Sequence, residues 1–301
     1  MTVDVGISGG LSVDHLVTSP VAARFDCLGG PGLYAALGAG LVAGTRVRLY
    51  SALPQSTSKF AETLSAAGVD LGFCTLTPDV PRVWILNSPD GRRIVPTTPR
   101  PGSELDEGDE TADARPLLAP GPGFFDGLAG MLYCAPQAIG TPPPGLTVGV
   151  DPDQREVLSR GANYWRAISV PGGVLLPSRV QLTIVDSDPR QAVRKLARTM
   201  GVSVSARLDA DGAFAVDAAG GQWAVHDANA AVVDTTGAGD TSAGALVAAL
   251  AAGADLATAT AFGVSAARVV LSDWGHTALS RYRPLAEPLP GVHITQHRGA
   301  S

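Results

Sequence analysis

The chain of 301 residues carries 36 glycines, 23 prolines and a formal charge of −6 at pH 7. Its hydrophobic content of 45% and charged content of 17% exclude a disordered chain, and the length suffices to bury a large core. The acidic balance argues against nucleic acid and anionic membranes as partners, because both attract clustered cations. Three widely spaced cysteines without a CxxC pair indicate reduced thiols, and no signal peptide stands at the first residues, so we expect a cytoplasmic protein.

The first half of the chain is expected to alternate strands with helices. In chain order we predict a buried strand at 3–8, an extended segment at 17–25, a helix at 33–43, a strand at 46–51 and a helix at 58–67. A hairpin with strands at 82–86 and 92–97 follows, because Asp90-Gly91 favours the dihedral angles of a tight turn. Residues 99–127 are rich in proline, glycine and acids and indicate a surface connection.

The second half continues the alternation. Short apolar runs predict strands at 130–134, 146–150, 170–176, 181–185 and 202–208, and a helical pattern covers 189–200. Strands that alternate with helices pair in parallel through right-handed crossovers. We therefore expect an α/β chain with a parallel sheet covered on both faces.

The most informative segment is Asp234-Thr235-Thr236-Gly237-Ala238-Gly239-Asp240, which stands directly before a helix of small residues. Small residues at 237–239 let backbone N–H groups approach an anion, and the helix dipole favours negative charge at this end. A phosphate group suits such a place, and an ionised Asp240 beside it could accept a proton from an attacking hydroxyl. A loop of this kind can equally be a plain turn in which Asp240 only complements the helix dipole.

The whole run DTTGAGD with its helix closely resembles the carboxyl-terminal signature of the ribokinase-like (PfkB) family of carbohydrate and nucleoside kinases. Other segments resemble the family in the same order along nearly the full length. They are the first strand followed by Asp14, the pair Gly29-Gly30, Asp151-Pro152-Asp153, and Asp211-Gly212-Ala213 at a turn between late strands.

The resemblance implies a three-layer ribokinase-like α/β fold, with a mostly parallel central sheet, helices on both faces and a small β-sheet lid. It also implies one domain over residues 1–301, with the lid formed by inserted segments at about 12–27 and 82–98.

The implied activity is ATP-dependent transfer of the γ-phosphoryl group to a primary hydroxyl of a sugar or nucleoside. Asp240 would be the general base, and the backbone amides of residues 237–240 would form the anion hole. The other implied site residues are Asp14, Gly29, Gly30 and Tyr34 for the substrate, Arg207 and Asp209 with Gly237 and Gly239 for the nucleotide, and Asp234 and Thr236 for a monovalent cation. Mg²⁺ would accompany ATP, with K⁺ as the monovalent ion.

Three segments depart from the family pattern. Tyr34 stands where relatives carry an asparagine, so an aromatic face is expected to stack on the substrate there. Ser178-Arg179-Val180-Gln181 replaces the NxxE segment that organises magnesium, and Arg207-Leu208-Asp209 replaces Thr-Leu-Gly on the nucleotide side. Losing a carboxylate removes a hard magnesium ligand or its orienting group. Two alternatives follow: a catalytically impaired protein that binds a sugar or nucleoside, and a specialised biosynthetic enzyme for an unusual nucleoside or aminosugar.

Two competing motifs are weak. Residues 6–10 fit GxSxG, but a nucleophile elbow normally follows several core strands and this one ends the first. Residues 30–35 fit GxGxxA, but the preceding strand is weak and no acidic residue stands about 20 positions on. The resemblance implies a small-molecule sugar or nucleoside substrate and a homodimer formed through the lid, and the acidic composition predicts no nucleic acid or membrane partner.

Overall fold

The structure is a computed structural model that describes residues 2–18, 22–88, 91–96 and 120–297. Its strands are β1 (Val3–Ser8), β2 (Ser12–Thr18), β3 (Ala22–Gly29), β4 (Thr45–Tyr50), β5 (Ala52–Pro54), β6 (Thr75–Thr77), β7 (Arg82–Ser88), β8 (Gly91–Pro96), β9 (Gly130–Cys134), β10 (Thr147–Asp151), β11 (Val174–Leu175), β12 (Ser203–Arg207), β13 (Ala213–Val216), β14 (Gln222–Asp227) and β15 (Val292–His297). Its helices are α1 (Pro31–Gly40), α2 (Lys59–Ala66), α3 (Gln154–Arg160), α4 (Ala162–Ile168), α5 (Arg179–Leu182), α6 (Pro189–Met200), α7 (Ala238–Ala251) and α8 (Leu256–Leu271).

A large central sheet organises the described residues. Nine strands lie in the order β15-β14-β13-β12-β11-β10-β9-β1-β4 within the described ranges. The pairs from β4 across to β12 are parallel, and the pairs from β12 to β15 are antiparallel. This confirms the predicted α/β class with a mostly parallel central sheet.

Helices cover both faces of this sheet, as the alternation along β10 shows. Val148 and Val150 belong to a buried cluster with residues of α3, α4 and α6. Gly149 points the other way, where a Cβ atom would overlap the Val247 side chain of α7. The α7 face is covered by α1, α7 and α8 in a second buried cluster. The strand period of two therefore assigns each face its own set of helices.

Glycines bring α1 and α7 into backbone contact. A Cβ atom on Gly38 of α1 would overlap the carbonyl oxygen of Thr241, and one on Gly244 of α7 would overlap the carbonyl oxygen of Ala35. Larger side chains at either position would force the two helices apart. Part of the glycine content thus has a packing role that holds the start of α7 against α1.

A second, four-stranded sheet has the order β3-β2-β7-β8 and is called the lid sheet below. The β7–β8 pair is the predicted hairpin, although the predicted turn residue Asp90 lies outside the described residues. The extended segment expected at 17–25 is two antiparallel strands, β2 and β3. Most of the expected connection at 99–127 also lies outside the described residues.

The apolar run at 181–185 was predicted to be a strand, and this prediction is wrong. The short helix α5 ends within this run, and residues 183–185 form a turn. The helix starts with a capping box in which the side chains of Ser178 and Gln181 each accept a hydrogen bond from the other's backbone N–H. The reciprocal hydrogen bonds favour a helical turn over an extended backbone. The strand expected at 170–176 is shorter than predicted and covers only Val174–Leu175. Among the described residues, no helix has both the length and the apolar character needed to cross a membrane.

Candidate phosphate-binding and acceptor site

The loop before α7 is anchored by the buried carboxylate of Asp234. Its Oδ1 accepts hydrogen bonds from the backbone N–H of Thr236 at 3.1 Å and from the Thr236 hydroxyl at 2.9 Å. Its Oδ2 accepts from the backbone N–H of Gly275 at 3.0 Å, and Asn87 of the lid sheet lies 3.5 Å from Oδ1. Asp234 therefore fastens the loop to the lid sheet and to the segment after α8. The role of Asp234 and Thr236 in holding a monovalent cation stays a prediction.

Gly237 is the N-cap of α7 and has a φ of 74°, in the left-handed region that glycine adopts readily. A Cβ atom on Gly237 would also overlap the aromatic ring of Tyr34. Two independent reasons, the backbone angle and the close ring, thus require glycine at this position.

Backbone amides at the start of α7 are available to an anion. Ala238 N–H donates to the carbonyl of Thr235 at 3.3 Å, and Thr241 N–H donates to the carbonyl of Gly237 at 2.9 Å. The amides of Gly237 and Gly239 donate to no other residue in the described part of the chain. Amides without partners at a helix N-terminus fit a phosphate group, since the helix dipole adds to their attraction. Asp240 lies in the same first turn and is half-buried.

Arg207 and Asp151 form a paired ion bridge beside this turn. Nη1 and Nη2 of Arg207 each donate at 2.7 Å to one oxygen of Asp151, and Nη1 also donates to the carbonyl of Gly239 at 2.9 Å. The side chains are 20% and 10% exposed, so water screens the pair weakly. Burial lowers the pKa of Arg207, but the charges of Asp151 and Asp240 outweigh burial and hold this pKa above its usual value. The guanidinium therefore stays charged beside α7.

The segment that replaces NxxE offers no ligand for a divalent ion. Gln181 is buried, its Oε1 accepts from the backbone N–H of Ser178 at 2.8 Å, and its Nε2 donates to the carbonyl of Pro152 at 2.7 Å. The nearby carboxylate of Asp151 is committed to Arg207 through both oxygens. Within the described ranges, no group of three or more His, Cys, Asp or Glu side chains could hold a metal ion. The donor set does not fit a magnesium ion held by the protein itself.

The substrate residues predicted near the amino terminus meet around Asp14. This carboxylate is buried and accepts a hydrogen bond from the Ser12 hydroxyl at 2.6 Å. A Cβ atom on Gly29 would overlap the Asp14 carboxylate, and Gly30, with a φ of 93°, packs against the backbone of Gly10 and begins α1. The double glycine thus makes room for Asp14 and for a close start of the helix.

Tyr34 is placed differently from the sequence-based expectation. Its side chain is 2% exposed and its ring lies against Gly237, so neither ring face is open to a substrate in this structure. Its hydroxyl is buried and has no hydrogen-bond partner among the described residues. Burial, together with the charges of Asp14, Asp234 and Asp240, raises the pKa of Tyr34 well above its usual value, so the hydroxyl remains protonated. The result is a buried hydroxyl that stays neutral and can donate a hydrogen bond.

A cavity of about 310 Å³ opens beyond Tyr34. It is lined by β3, α2 and the segment after α8, through residues that include Cys27, Lys59, Glu62, Gly275 and His276. Burial and the neighbouring Asp14 and Asp234 raise the pKa of the Cys27 thiol to about 11, which keeps the thiol protonated. The volume lies at the small end of the range for ligand pockets. Sequence patterns did not indicate Lys59 or Glu62 as site residues.

Asp209, which was expected on the nucleotide side, lies at the surface. Its side chain is 72% exposed and accepts from Nε of Arg179 at 3.0 Å. Arg179 also pairs with Asp211 and donates to the carbonyl of Leu208 at 2.7 Å. The acidic turn after β12 is thus held by an arginine that the motif comparison did not single out.

The central sheet, its two helical layers and the lid sheet together define the ribokinase fold, and solved structures match it over most of the chain. Ribokinase from Cryptococcus neoformans var. grubii serotype A, in complex with ADP, is 18% identical, with a TM-score of 0.63 and coverage of 91% of this chain and 95% of that one. Adenosine kinase from Sinorhizobium meliloti is 17% identical, with a TM-score of 0.68 and coverage of 97% of both chains. At such identities these matches show the fold alone.

A comparison of the sequence with family models adds a match over the last third of the chain. Residues 183–281, which contain the loop before α7 and the whole of α7, match the model of the pfkB family of carbohydrate kinases. No curated protein sequence matches the chain. The chain thus has the ribokinase fold over most of its length and is similar to the pfkB family of carbohydrate kinases over residues 183–281.

Proposed function

We propose that the protein is a kinase that transfers the γ-phosphoryl group of ATP to a primary hydroxyl of a sugar or nucleoside. The observation that carries this proposal is the start of α7. There the amides of Gly237 and Gly239, which have no hydrogen-bond partner within the described ranges, stand in the same turn as Asp240. The PfkB match over residues 183–281 supports it, since it covers this turn.

In the proposed reaction, the acceptor oxygen forms a bond to the γ-phosphorus while its proton passes to the carboxylate of Asp240. The bond between the γ-phosphorus and the bridging oxygen breaks, and ADP leaves with the electron pair. The amides of Gly237 and Gly239 would stabilise negative charge on the transferred group, and such electrostatic stabilisation is the main contribution of an enzyme to phosphoryl transfer. The predicted part of Ala238 in this anion hole would require its N–H to leave the carbonyl of Thr235. The protein would catalyse the reaction by positioning the reactants and stabilising charge, without a covalent intermediate on the protein.

Magnesium would reach this site on the phosphates of ATP. No carboxylate set among the described residues fits a divalent ion of the protein's own, as the hydrogen bonds of Gln181 and the ion pair of Asp151 illustrate.

The acceptor would bind in the cavity beside Tyr34, close to Asp14. The Tyr34 ring extends from Gly237 toward Gly275, a residue of the cavity wall, so it lies between this wall and the start of α7. In the proposed complex, this ring would move aside so that an acceptor hydroxyl can reach Asp240. The partnerless Tyr34 hydroxyl would then find a partner on the acceptor, which relieves the cost of a buried unsatisfied donor.

The test is a screen of the purified full-length chain with ATP and magnesium against ribose, fructose, common nucleosides and inositol-like alcohols. Formation of a phosphorylated product, detected by mass spectrometry, is the expected result. If no acceptor in the panel is phosphorylated, the kinase proposal fails in this form.

A second candidate is a binding protein that has lost catalysis. The amide of Gln181 in place of a carboxylate and the closed position of Tyr34 favour it. Calorimetric binding of a sugar or nucleoside, with no ATP turnover in magnesium or manganese, would support this candidate over the kinase.

The lid sheet is also proposed to form a homodimer contact. His15, Phe25 and Trp84 form an aromatic cluster on it, with ring centroids 4.9 to 5.8 Å apart, and Phe25 is 60% exposed. Exposed aromatic clusters of this kind often mark protein contacts. Light scattering should give a dimer mass for the native chain and a lower mass for Phe25→Ser, and a native monomer would contradict the contact.

A further inference from the structure

Arg207 places a cation beside the start of α7, at a position where the motif comparison expected an uncharged residue. The guanidinium carbon lies 3.3 Å, and Nε 3.5 Å, from the point where a Cβ atom on Gly239 would stand. The guanidinium thus faces the same residue whose backbone amide has no partner among the described residues. Two kinds of donor, an amide and a guanidinium, converge on one turn.

The guanidinium has N–H groups to spare. Of its five, two donate to Asp151 and one to the carbonyl of Gly239. The Nε–H and the second N–H of Nη2 donate to no residue within the described ranges. Both oxygens of Asp151 accept hydrogen bonds from Nη1 and Nη2, which fixes the orientation of the guanidinium and of its remaining N–H donors.

In the described part of the chain, no metal site held by carboxylates shares with Arg207 the attraction of an anion to this turn. At the position where the family pattern has the carboxylate that organises magnesium, this chain has the amide of Gln181. Both polar atoms of that amide are engaged in hydrogen bonds within the protein. A polyanion bound at the α7 amides would therefore meet Arg207 as the basic side chain that lies against this turn in the described part of the chain.

We propose that Arg207 contacts the phosphate oxygens of the donor directly and supplies the positive charge that a metal ion held by protein carboxylates would otherwise supply, with Asp151 as its positioning residue. This inference rests on the proposed function for the identity of the anion, a nucleoside triphosphate. It has a consequence that binding alone can test: the site holds a polyphosphate without any divalent ion.

The experiment measures the affinity of the full-length chain for pyrophosphate by calorimetry in buffer with excess EDTA. Four proteins are compared: the native chain, Asp151→Asn, the double variant Asp151→Asn with Arg207→Met, and Arg46→Met. The double variant leaves no unpaired buried carboxylate, so its fold is not endangered by the loss of the cation. Arg46 belongs to an exposed ion pair with Asp4 on the outer strand β4 and serves as the control for loss of one positive charge.

The native chain, Asp151→Asn and Arg46→Met are expected to bind pyrophosphate, and the double variant to bind about tenfold more weakly or worse. That factor corresponds to the loss of charge-assisted hydrogen bonds. Asp151→Asn leaves Arg207 without its counter-ion and should melt below the double variant. Affinities are therefore compared well below both melting temperatures, where weaker binding by the more stable double variant reports the cation and not the fold.

Two results would overturn the inference: no binding by the native chain in EDTA, or equal affinity of Asp151→Asn and the double variant. The second result would mean that the Arg207 cation contributes nothing once Asp151 no longer holds it. Kinase activity with Arg207-independent pyrophosphate binding would remove this inference and leave the proposed function standing. Arg207-dependent binding without kinase activity on any acceptor would support this inference and contradict the proposed kinase function.

Discussion

The two sides of the site depend on different features of the chain, one on backbone geometry and the other on side-chain contacts. The start of α7 depends on backbone: a left-handed Gly237, amides without partners and a close Tyr34 ring define it. The opposite side, formed by the ends of β10 and β12 and by α5, depends on side chains, and there the family pattern is replaced by the Arg207–Asp151 pair and by Gln181. The backbone half tolerates little change, whereas the side-chain half can exchange one charge arrangement for another on the same fold.

The largest expected effect comes from a substitution of Asp240, the acidic residue at the start of α7. Asp240→Asn removes the proposed proton acceptor while keeping shape, so kcat should fall by about 10²–10⁴ with acceptor binding preserved. The measurement is steady-state kinetics on the best acceptor, with Asp4→Asn, a surface carboxylate paired with Arg46, as the matched control. Turnover close to that of the native chain would contradict the role of Asp240.

A substitution that breaks the Arg207–Asp151 ion pair tests the side of the site that depends on side-chain contacts. Arg207→Met leaves the Asp151 carboxylate nearly buried without its partner, which should lower the free energy of unfolding by about 3–5 kcal/mol. Arg46→Met removes a surface partner of Asp4 and should leave stability unchanged within error. Urea unfolding measures both. Equal effects of the two substitutions would show that the Arg207–Asp151 pair behaves as a surface contact.

Gly237→Ala sharpens the claim that α7 begins on a constrained backbone. The left-handed φ costs about 1–2 kcal/mol for a residue with a Cβ atom, and overlap with the Tyr34 ring should add about 1–3 kcal/mol. Gly172 is the matched control, since its φ of 75° is nearly the same and no atom lies within 4 Å of an added Cβ. If Gly237→Ala and Gly172→Ala destabilise the protein equally in urea, the Tyr34 contact has no energetic consequence.

The smallest expected effect is that of Gln181→Glu, which restores the acidic residue of the family pattern. A glutamate cannot donate to the carbonyl of Pro152 when ionised, so unfolding free energy at pH 7 should drop by about 1–3 kcal/mol. Only the protonated form can donate there, so the folded-state pKa should lie above the unfolded one. The deficit should then shrink as pH falls toward the unfolded pKa and grow as pH rises through the folded one.

Gln191→Glu, an exposed position on α6, is the control for Gln181→Glu and should show no such pH dependence. A stable Gln181→Glu protein that gains a magnesium site would mean that this half of the site can return to the family arrangement through one residue.

Local signals in the chain predicted many of its elements well. The helix α6 was predicted at its observed bounds from its helical pattern. In the structure, Asp188 caps its start, Pro189 occupies its first position and Gly201 ends it in the left-handed conformation. The run at 181–185 was mistaken for a strand, although the Ser178 and Gln181 spacing carried a capping-box signal that outweighs a short apolar run.

The pairing of Arg207 with Asp151 had no local signal. The two residues are 56 positions apart and each stood in a motif of its own. They meet because each ends a parallel strand at the same edge of the sheet, and the strand between them, β11, is only two residues long. Sequence patterns show where strands end, but which ends become neighbours depends on the strand order.

By itself, the sequence determined the α/β class, the alternation of strands and helices, and the loop before α7 with Asp240 in its first turn, because these follow from periodicity, caps and small residues close together in the chain. Only the tertiary structure decided that Tyr34 closes the space beside Gly237, that Gln181 is consumed by internal hydrogen bonds, and that Arg207 is held against α7 by Asp151. Those contacts join residues distant in the chain, and packing, burial and sheet order bring them together.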